Sequence, residues 1–466
     1  MAYIPEEPIA SIATALAPSA LAIIRVSGTN CIHLVSNVFS RPKALQSAKG
    51  NTLIYGWILN PHANKAKIDE VMLAVYRAPK SYTGEDMVEI FCHGGVAPVK
   101  SVHTVLLQNG FREAERGEYT FRAFINAKTD LTRAEAVREI IESKTDISRG
   151  RAADRLSGAL FEQIESIKQE LVHTLSHLEA EIEYPEDENA ISDAYNPVEL
   201  IEIKKKLEHL SASWDAEKLY QDGAKIVLCG RTNAGKSSLF NTLLKQDRAI
   251  VSNIHGTTRD WIESWISFDG IPARLFDTAG LRTTKDSIEA IGVKRTKELA
   301  ADADLVLYLL DSTLSIHEDD KIMLKELLDA KKSTPLIIVL NKTDKENSTS
   351  SIILDDYTNK PAAQLCISAK TGIGVSTLTA AVKKTLTAKL KAVDVQTGLG
   401  SERQKNAVDA ALKSLYQAIR APNEGLGNDA VVLDLEDAIT TLGEITGDVS
   451  PDTILDNIFS QFCLGK

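Results

Sequence analysis

Four short segments carry residue types whose spacing suits phosphate and purine chemistry. The run Gly230-Arg-Thr-Asn-Ala-Gly-Lys-Ser237 follows the apolar stretch Lys225-Ile-Val-Leu-Cys229. Its glycines let backbone N–H groups approach phosphate oxygens, and a helix opening at its end points a positive terminus at them. Lys236 can reach the β- and γ-phosphates, and the Ser237 hydroxyl can ligate Mg²⁺. Asp277-Thr-Ala-Gly280 follows Ala273-Arg-Leu-Phe276. There an aspartate can hold a Mg²⁺-bound water while the Gly280 N–H meets the γ-phosphate. Asn341-Lys-Thr-Asp344 follows Leu336-Ile-Ile-Val-Leu340. A carboxylate at Asp344 accepts from the N1 and exocyclic amine of guanine, a donor pair that adenine lacks. Ser368-Ala-Lys370 follows Gln364-Leu-Cys-Ile367, where a backbone N–H can meet the guanine carbonyl. Taken singly the last two are weak; in this order, behind a phosphate loop, they specify guanine nucleotide binding.

A fifth segment, Gly256-Thr-Thr-Arg-Asp260, lies where a first switch loop belongs, and Thr258 can complete the Mg²⁺ shell. The nucleotide contacts expected in the phosphate loop are Asn233, Ala234, Gly235, Lys236, Ser237 and Ser238. The first switch adds Ser252, Asn253, Ile254, His255, Gly256, Thr257 and Thr258. The rest are Asp277, Thr278, Ala279, Gly280, Asn341, Lys342, Asp344, Ser368, Ala369 and Lys370. Leu281 stands where Ras-like enzymes place a water-orienting glutamine, so another group must position the attacking water. His173 and His177 are four apart, a spacing that zinc enzymes use, but the metalloprotease glutamate is missing between them. Surface or packing roles are expected there, and strand-end packing at Cys92-His93.

These segments need a scaffold. Residues 220–381 alternate strand-like and helix-like stretches, the pattern of a Ras-like parallel-rich sheet with crossover helices. Residues 1–118 mix β-like runs (Leu21–Val26, Val71–Tyr76, Met87–Phe91) with helices and Gly/Pro punctuation, an α+β domain. From 119 to 219 apolar positions fall three and four apart (Leu171, Leu175, Leu178, Ile182), which predicts amphipathic helices. The acidic stretch 184–197 is expected to be a loop, and helical texture returns over 382–466. A multidomain α/β chain results, with the nucleotide domain inserted into the helical one, as exposed loops tolerate.

The length of 466 residues, 44% hydrophobic and 25% charged, suits several globular domains. A net charge of −11 argues against a broad basic nucleic-acid surface, so any RNA contact needs a local patch or a partner. Five cysteines without a close pair argue against a disulfide framework. No targeting segment and no uncharged run of ~18 apolar residues is visible, so a cytoplasmic protein with no membrane partner is expected.

Motifs over nearly the whole length resemble the bacterial tRNA-modification GTPase family MnmE, also called TrmE. They are Ile24-Arg-Val-Ser-Gly28, Ser81-Tyr-Thr-Gly-Glu-Asp86, His93-Gly-Gly95 and Gly117-Glu-Tyr-Thr-Phe-Arg-Ala-Phe124. They continue with Asn126-Ala-Lys-Thr-Asp-Leu-Thr-Arg-Ala-Glu-Ala136 and the terminal Phe459-Ser-Gln-Phe-Cys-Leu-Gly-Lys466. Leu464 replaces the isoleucine usual in that ending, and Ser401-Glu-Arg403 stands where the family often has Asn-Glu-Arg.

The resemblance implies an N-terminal folate-binding domain that dimerises, a helical domain, and an inserted GTPase domain. It implies a homodimer that joins a flavoprotein of the MnmG type, carrying FAD and using NADH, in a heterotetramer. Together they would place an aminomethyl-type group on carbon 5 of a tRNA wobble uridine. The carbon would come from 5,10-methylenetetrahydrofolate, for which 5-formyltetrahydrofolate is an analogue. By motif, Arg25, Glu89, Lys128 and Lys466 are the expected folate contacts. The resemblance implies that Glu289 is the general acid–base or water-orienting glutamate that compensates for Leu281. Cys463 is either a nucleophile near the folate or a buried structural thiol. K⁺ is expected at Asn233, Ser252, Ile254 and Thr257, where it would replace an arginine finger. Mg²⁺ is expected at Ser237 and Thr258. The competing class is a GTP-dependent assembly factor without chemistry of its own, which would not need the N-terminal domain.

Overall fold

The structure is a computed structural model that describes residues 7–183, 197–246, 262–277, 298–329, 334–349, 351–352, 359–388, 390, 397–449 and 451–466. The chain divides into two compact units. One comprises Met1–Arg138, Leu156–Pro197 and Lys413–Lys466, the other Glu139–Arg155 and Val198–Leu412.

Six strands of the first unit are β1 (Ile9–Ile12), β2 (Ser19–Ser27), β3 (Thr52–Asn60), β4 (Ala66–Tyr76), β5 (Met87–Gly94) and β6 (Arg112–Glu113). They form one sheet in the order β3-β4-β5-β2-β1-β6, in which only β1 and β6 run parallel. Side chains alternate across a strand, so register decides which residues share a face. Ile24, Ile90 and Leu73 are level and fully buried, covered by the helices Cys31–Asn37 and Val96–Gln108. The next row, Arg25, Glu89 and Ala74, lies on the opposite face. That face also exposes Leu21, Leu53, Tyr55 and Met72. The sequence's strand-like runs are the cores of β2, β4 and β5, whereas β1 and β6 are too short to show a period.

Helices of this unit pack by the expected spacing. Ala159–Glu183 buries Leu160, Ile164, Ile167, Leu171 and Leu178 and pairs with Asn428–Thr446. Ile182 departs from the stripe and is exposed. The last helix, Asp452–Phe459, lays Leu455, Ile458 and Phe459 against Phe121, Leu131 and Ala134. Phe121 and Phe459 meet edge to face at 5.3 Å. Residues 184–196 of the expected acidic loop lie outside the described residues, and Pro197 opens the helix Pro197–Asp222. Proline suits that position, where its missing N–H costs nothing.

The second unit contains β7 (Ala224–Cys229), β8 (Ile262–Phe268), β9 (Ile271–Asp277), β10 (Leu305–Asp311), β11 (Leu336–Asn341) and β12 (Ala363–Cys366). Their order is β12-β11-β10-β7-β9-β8, parallel except for β8 at one edge. Both faces of the sheet are buried. Ile226 and Leu228 enter one apolar cluster, Val227 and Cys229 the other, which explains the unbroken apolar runs of β7, β10 and β11. At the base of this unit Arg155 is buried between Glu139, at 2.5 Å, and Glu217, at 2.9 Å, and also donates to the Gly398 carbonyl. Cations joining four distant segments in this way appear in no local motif.

The first unit has its own buried ion cluster. Arg122 is fully buried and donates to both Glu85 oxygens (3.2 and 3.0 Å), to Glu118 (2.9 Å) and to the Glu7 carbonyl (2.9 Å). Burial pushes the Glu118 carboxyl up, but Arg112, the Glu115 N–H and Arg122 outweigh it and hold the group below the usual range. Its contribution to stability is therefore present at neutral pH and lost as pH falls through that lowered value. Removing one partner of such a cluster leaves buried charge uncompensated, at a cost of ~3–5 kcal/mol. Arg122→Ala should lower unfolding stability by that order in urea denaturation, whereas Arg149→Ala, an exposed pair with Asp146, should change it by less than ~0.5 kcal/mol.

Candidate functional site

Because its inner strands are parallel, the second sheet delivers their outgoing loops to one edge, where open α/β sheets bind ligands. Register levels the exits: Leu228 pairs with Asp277, Tyr308 with Cys229, and Asp311 with Asn341. Gly230 leaves β7, and the helix Lys236–Gln246 starts at the end of the loop. Asp277 ends β9, Asn341 ends β11, and Ser368 follows β12. The sheet thus collects the phosphate-loop, aspartate and base-recognition segments at one edge.

Hydrogen bonds lock three of these loops together. The buried Asn341 donates from Nδ2 to the Ala234 carbonyl (2.8 Å) and accepts the Ala369 N–H at Oδ1 (2.9 Å). Thr242, on the helix after the phosphate loop, donates to the Ala369 carbonyl at 2.7 Å. Gly235 has φ +98°, and a Cβ there would lie 2.1 Å from Asn341 Nδ2, so only glycine admits this brace. Lys236 is buried, its ammonium donating to the Gly230 (2.6 Å) and Arg231 (2.8 Å) carbonyls under the loop's arch. Ser237, Ser238 and Asn233 are exposed. Asn233 has φ +64°, a left-handed conformation that asparagine tolerates better than most residues.

Asp344 accepts a 2.7 Å hydrogen bond from the buried Ser368 hydroxyl, which holds the carboxyl below the usual range. The group therefore stays an acceptor through neutral pH. Ala369 is buried and Lys370 exposed beside it. Ser252, Asn253, Ile254, His255, Gly256, Thr257, Thr258, Thr278, Ala279, Gly280 and Glu289 lie outside the described residues.

The first unit carries a second polar cluster. Arg25 Nε and Nη2 donate to Glu89 Oε1 at 2.9 and 2.6 Å, and Nη1 donates to the Gly465 carbonyl at 3.0 Å. The guanidinium also lies 5.6 Å from the Tyr82 ring centre and 5.5 Å from that of Tyr119. Gly465 has φ +91°, and a Cβ there would meet Ala13 Cα at 2.7 Å, so the tail seats against the strand end as glycine. Lys466 places its ammonium 6.0 Å from the Tyr82 ring. Burial and then Arg25 push it below the ordinary lysine value, against the opposing pull of Glu89. Two cations, one carboxylate and tyrosine rings suit an anion that carries a planar ring.

Of the residues read from sequence for this site, Arg25, Glu89 and Lys466 come together. Lys128 is exposed and sits in the turn after the helix Glu118–Ile125, not on a helix, with its stem alongside Gly84. Cys463 follows the last helix and is exposed, which removes the buried-thiol alternative. His93 is likewise no packing residue: it is exposed and its Nδ1 pairs with Asp69 Oδ1 at 2.7 Å, while Cys92 is buried. His173 and His177 approach to 3.2 Å on an exposed helix face, and no group of three or more metal-capable side chains occurs among the described residues. All five cysteines are free thiols.

Sequence reasoning missed the residues that seat Arg25. Tyr119 is buried and donates to the Arg25 carbonyl at 2.7 Å, while Tyr82 bonds Thr120 and Ser27 bonds both Thr83 and Glu85. The available signal was the pair of motifs at 81–86 and 117–124, whose buried members meet here.

Two family models together match most of the chain. The family model described as the MnmE helical domain matches residues 131–463, and that described as the GTP-binding protein TrmE N-terminus matches residues 8–128. The tRNA modification GTPase MnmE of Treponema denticola is 50% identical over 469 residues, covering 99% of this chain and 98% of that protein. The protein of the same name from Treponema pallidum is 40% identical, covering 100% and 99%. That from Borrelia recurrentis is 38% identical, covering 99% and 98%.

Proposed function

This chain belongs to the tRNA modification GTPase MnmE family, and from that premise we propose that it hydrolyses GTP to drive modification of tRNA wobble uridine. The observation that carries the reading is the presence, in one chain, of both braced clusters. One is a guanine-nucleotide edge centred on Asn341, the other an anion-suited seat at Arg25, Glu89 and Lys466.

At the first, the phosphate-loop N–H groups and Lys236 hold the phosphates, Asp344 reads guanine, and Ser368, Ala369 and Lys370 close over the base. The exposed Ser237 hydroxyl and Thr258 would hold Mg²⁺, which supplies charge neutralisation at the β- and γ-phosphates. Asn233, with Ser252, Ile254 and Thr257, would hold K⁺. Glu289 orients the water that takes the γ-phosphoryl group, leaving GDP and phosphate.

At the second, Arg25 and Lys466 would hold the glutamate carboxylates of 5,10-methylenetetrahydrofolate, Glu89 would pair with its pterin, and Lys128 would add a further cation. The exposed Cys463 supplies the reactive thiol. Working with an MnmG-type flavoprotein that brings FAD and NADH, the protein adds an aminomethyl group to carbon 5 of the uridine with ammonium as the amine, or a carboxymethylaminomethyl group with glycine. The exposed apolar sheet face around Leu53, Tyr55 and Met72 supports homodimerisation through the N-terminal domain. We take 1–118, 119–219, 220–381 and 382–466 as the working domain division. No described helix is long and apolar enough to cross a membrane.

The test is mass-spectrometric analysis of wobble nucleosides after deletion and complementation. Loss of the modified nucleoside on deletion, its restoration by the wild type and its absence with Cys463→Ser support the chemistry. Unchanged nucleosides on deletion return the protein to the assembly-factor class. For the GTPase, K⁺ should raise turnover at least ~10-fold over Na⁺ at equal ionic strength, about 1.4 kcal/mol on the barrier. Asn233→Ala should erase most of that difference; equal rates in both salts for the wild type remove the K⁺ mechanism.

A further inference from the structure

We propose that Asp311, at the end of β10, is a positioning residue for guanine recognition, acting through Lys342. This rests on the guanine-nucleotide reading of the edge and deepens it. Every residue of Asn341–Asp344 has its own tie. Asn341 is braced to the phosphate loop and to Ala369, the Thr343 N–H bonds the Ile367 carbonyl at 3.2 Å, and Asp344 accepts from Ser368. The tie of Lys342 is an ion pair: its ammonium donates to Asp311 Oδ2 at 2.5 Å.

The pair is built to hold a backbone in place. Lys342 has φ +70°, a left-handed conformation that is strained for a residue with a Cβ and needs compensation. Asp311 is fixed before it meets the lysine, since its Oδ1 accepts from the Thr313 N–H at 3.0 Å and from the Thr313 hydroxyl at 2.6 Å. The next N–H, of Ser312, bonds the Asn341 carbonyl at 2.9 Å and ties the two strand ends together. With side-chain exposures of 15% and 26%, the pair is shielded enough to outweigh an ordinary surface bridge. Burial alone would push the Asp311 carboxyl up, yet Lys342 and Thr313 hold it below the usual range. The contacts of Asp311 run to Thr313 and Lys342, so it acts on the base through the turn. It fixes the left-handed turn at Lys342 and thereby the direction in which Asp344, two residues on, presents its carboxylate.

The test compares GDP with IDP, which lacks the exocyclic amine, on the full-length protein by fluorescent-nucleotide displacement. Asp311→Asn should weaken GDP about tenfold, equivalent to ~1.4 kcal/mol, and weaken IDP much less, so the preference for GDP shrinks. Lys342→Met, which breaks the same pair from the other side, should shrink it equally, and the double variant should lose no more than either single one. The proposal is overturned if both variants keep the wild-type GDP-to-IDP ratio, whether affinity is unchanged or falls equally for both nucleotides along with the melting temperature. Should the wild type bind neither nucleotide, the guanine reading itself fails, an outcome distinct from an unchanged ratio.

Discussion

The buried amide of Asn341 joins three loops that are far apart in the chain. It donates to the carbonyl of Ala234 in the phosphate loop and accepts the N–H of Ala369 after β12. Each bond contributes only ~1 kcal/mol net, but an orphaned partner in that dry position costs ~1–3 kcal/mol more. Much else at the edge follows from this constraint. Gly235 must lack a Cβ to let the amide in, Thr242 holds the far side of Ala369, and Ser368 is placed to fix Asp344. Asp311 and Lys342 extend the same brace by one residue.

The first unit uses the same device with different chemistry. Arg25 is locked by Glu89, flanked by two tyrosine rings and bonded to Gly465, which lies 440 residues away in sequence. The last residues are thereby tied to this polar cluster. Beneath it, Arg122 joins Glu85, Glu118 and the chain entering β1. In both places short polar ties hold a loop or a tail in one position.

What was legible in the sequence was local. The phosphate loop, the Asp277 strand end and the base-recognition tetrapeptide are contiguous motifs, and the helical stripe Leu171–Leu178 shows its period in one window. Lys466 and Arg25 could be linked by resemblance, yet nothing in composition or spacing places Gly465 beside Arg25. Asp311 was invisible because an aspartate ending an apolar strand looks like any strand terminus until β11 is laid next to it. Arg155 and Arg122 were hidden likewise, since a buried arginine declares itself only through carboxylates from other segments. Tyr119 and Glu85 did stand inside recognised motifs, where their types were legible and their task was not.

The central claim is that one amide assembles the nucleotide edge, and the isosteric change Asn341→Asp tests it most directly. The substitution keeps shape but removes the donor and sets a negative oxygen against the Ala234 carbonyl. GDP affinity, measured by calorimetry, should fall at least ~30-fold, about 2 kcal/mol, with the far-ultraviolet circular dichroism unchanged. An affinity within threefold of the wild type would contradict the account.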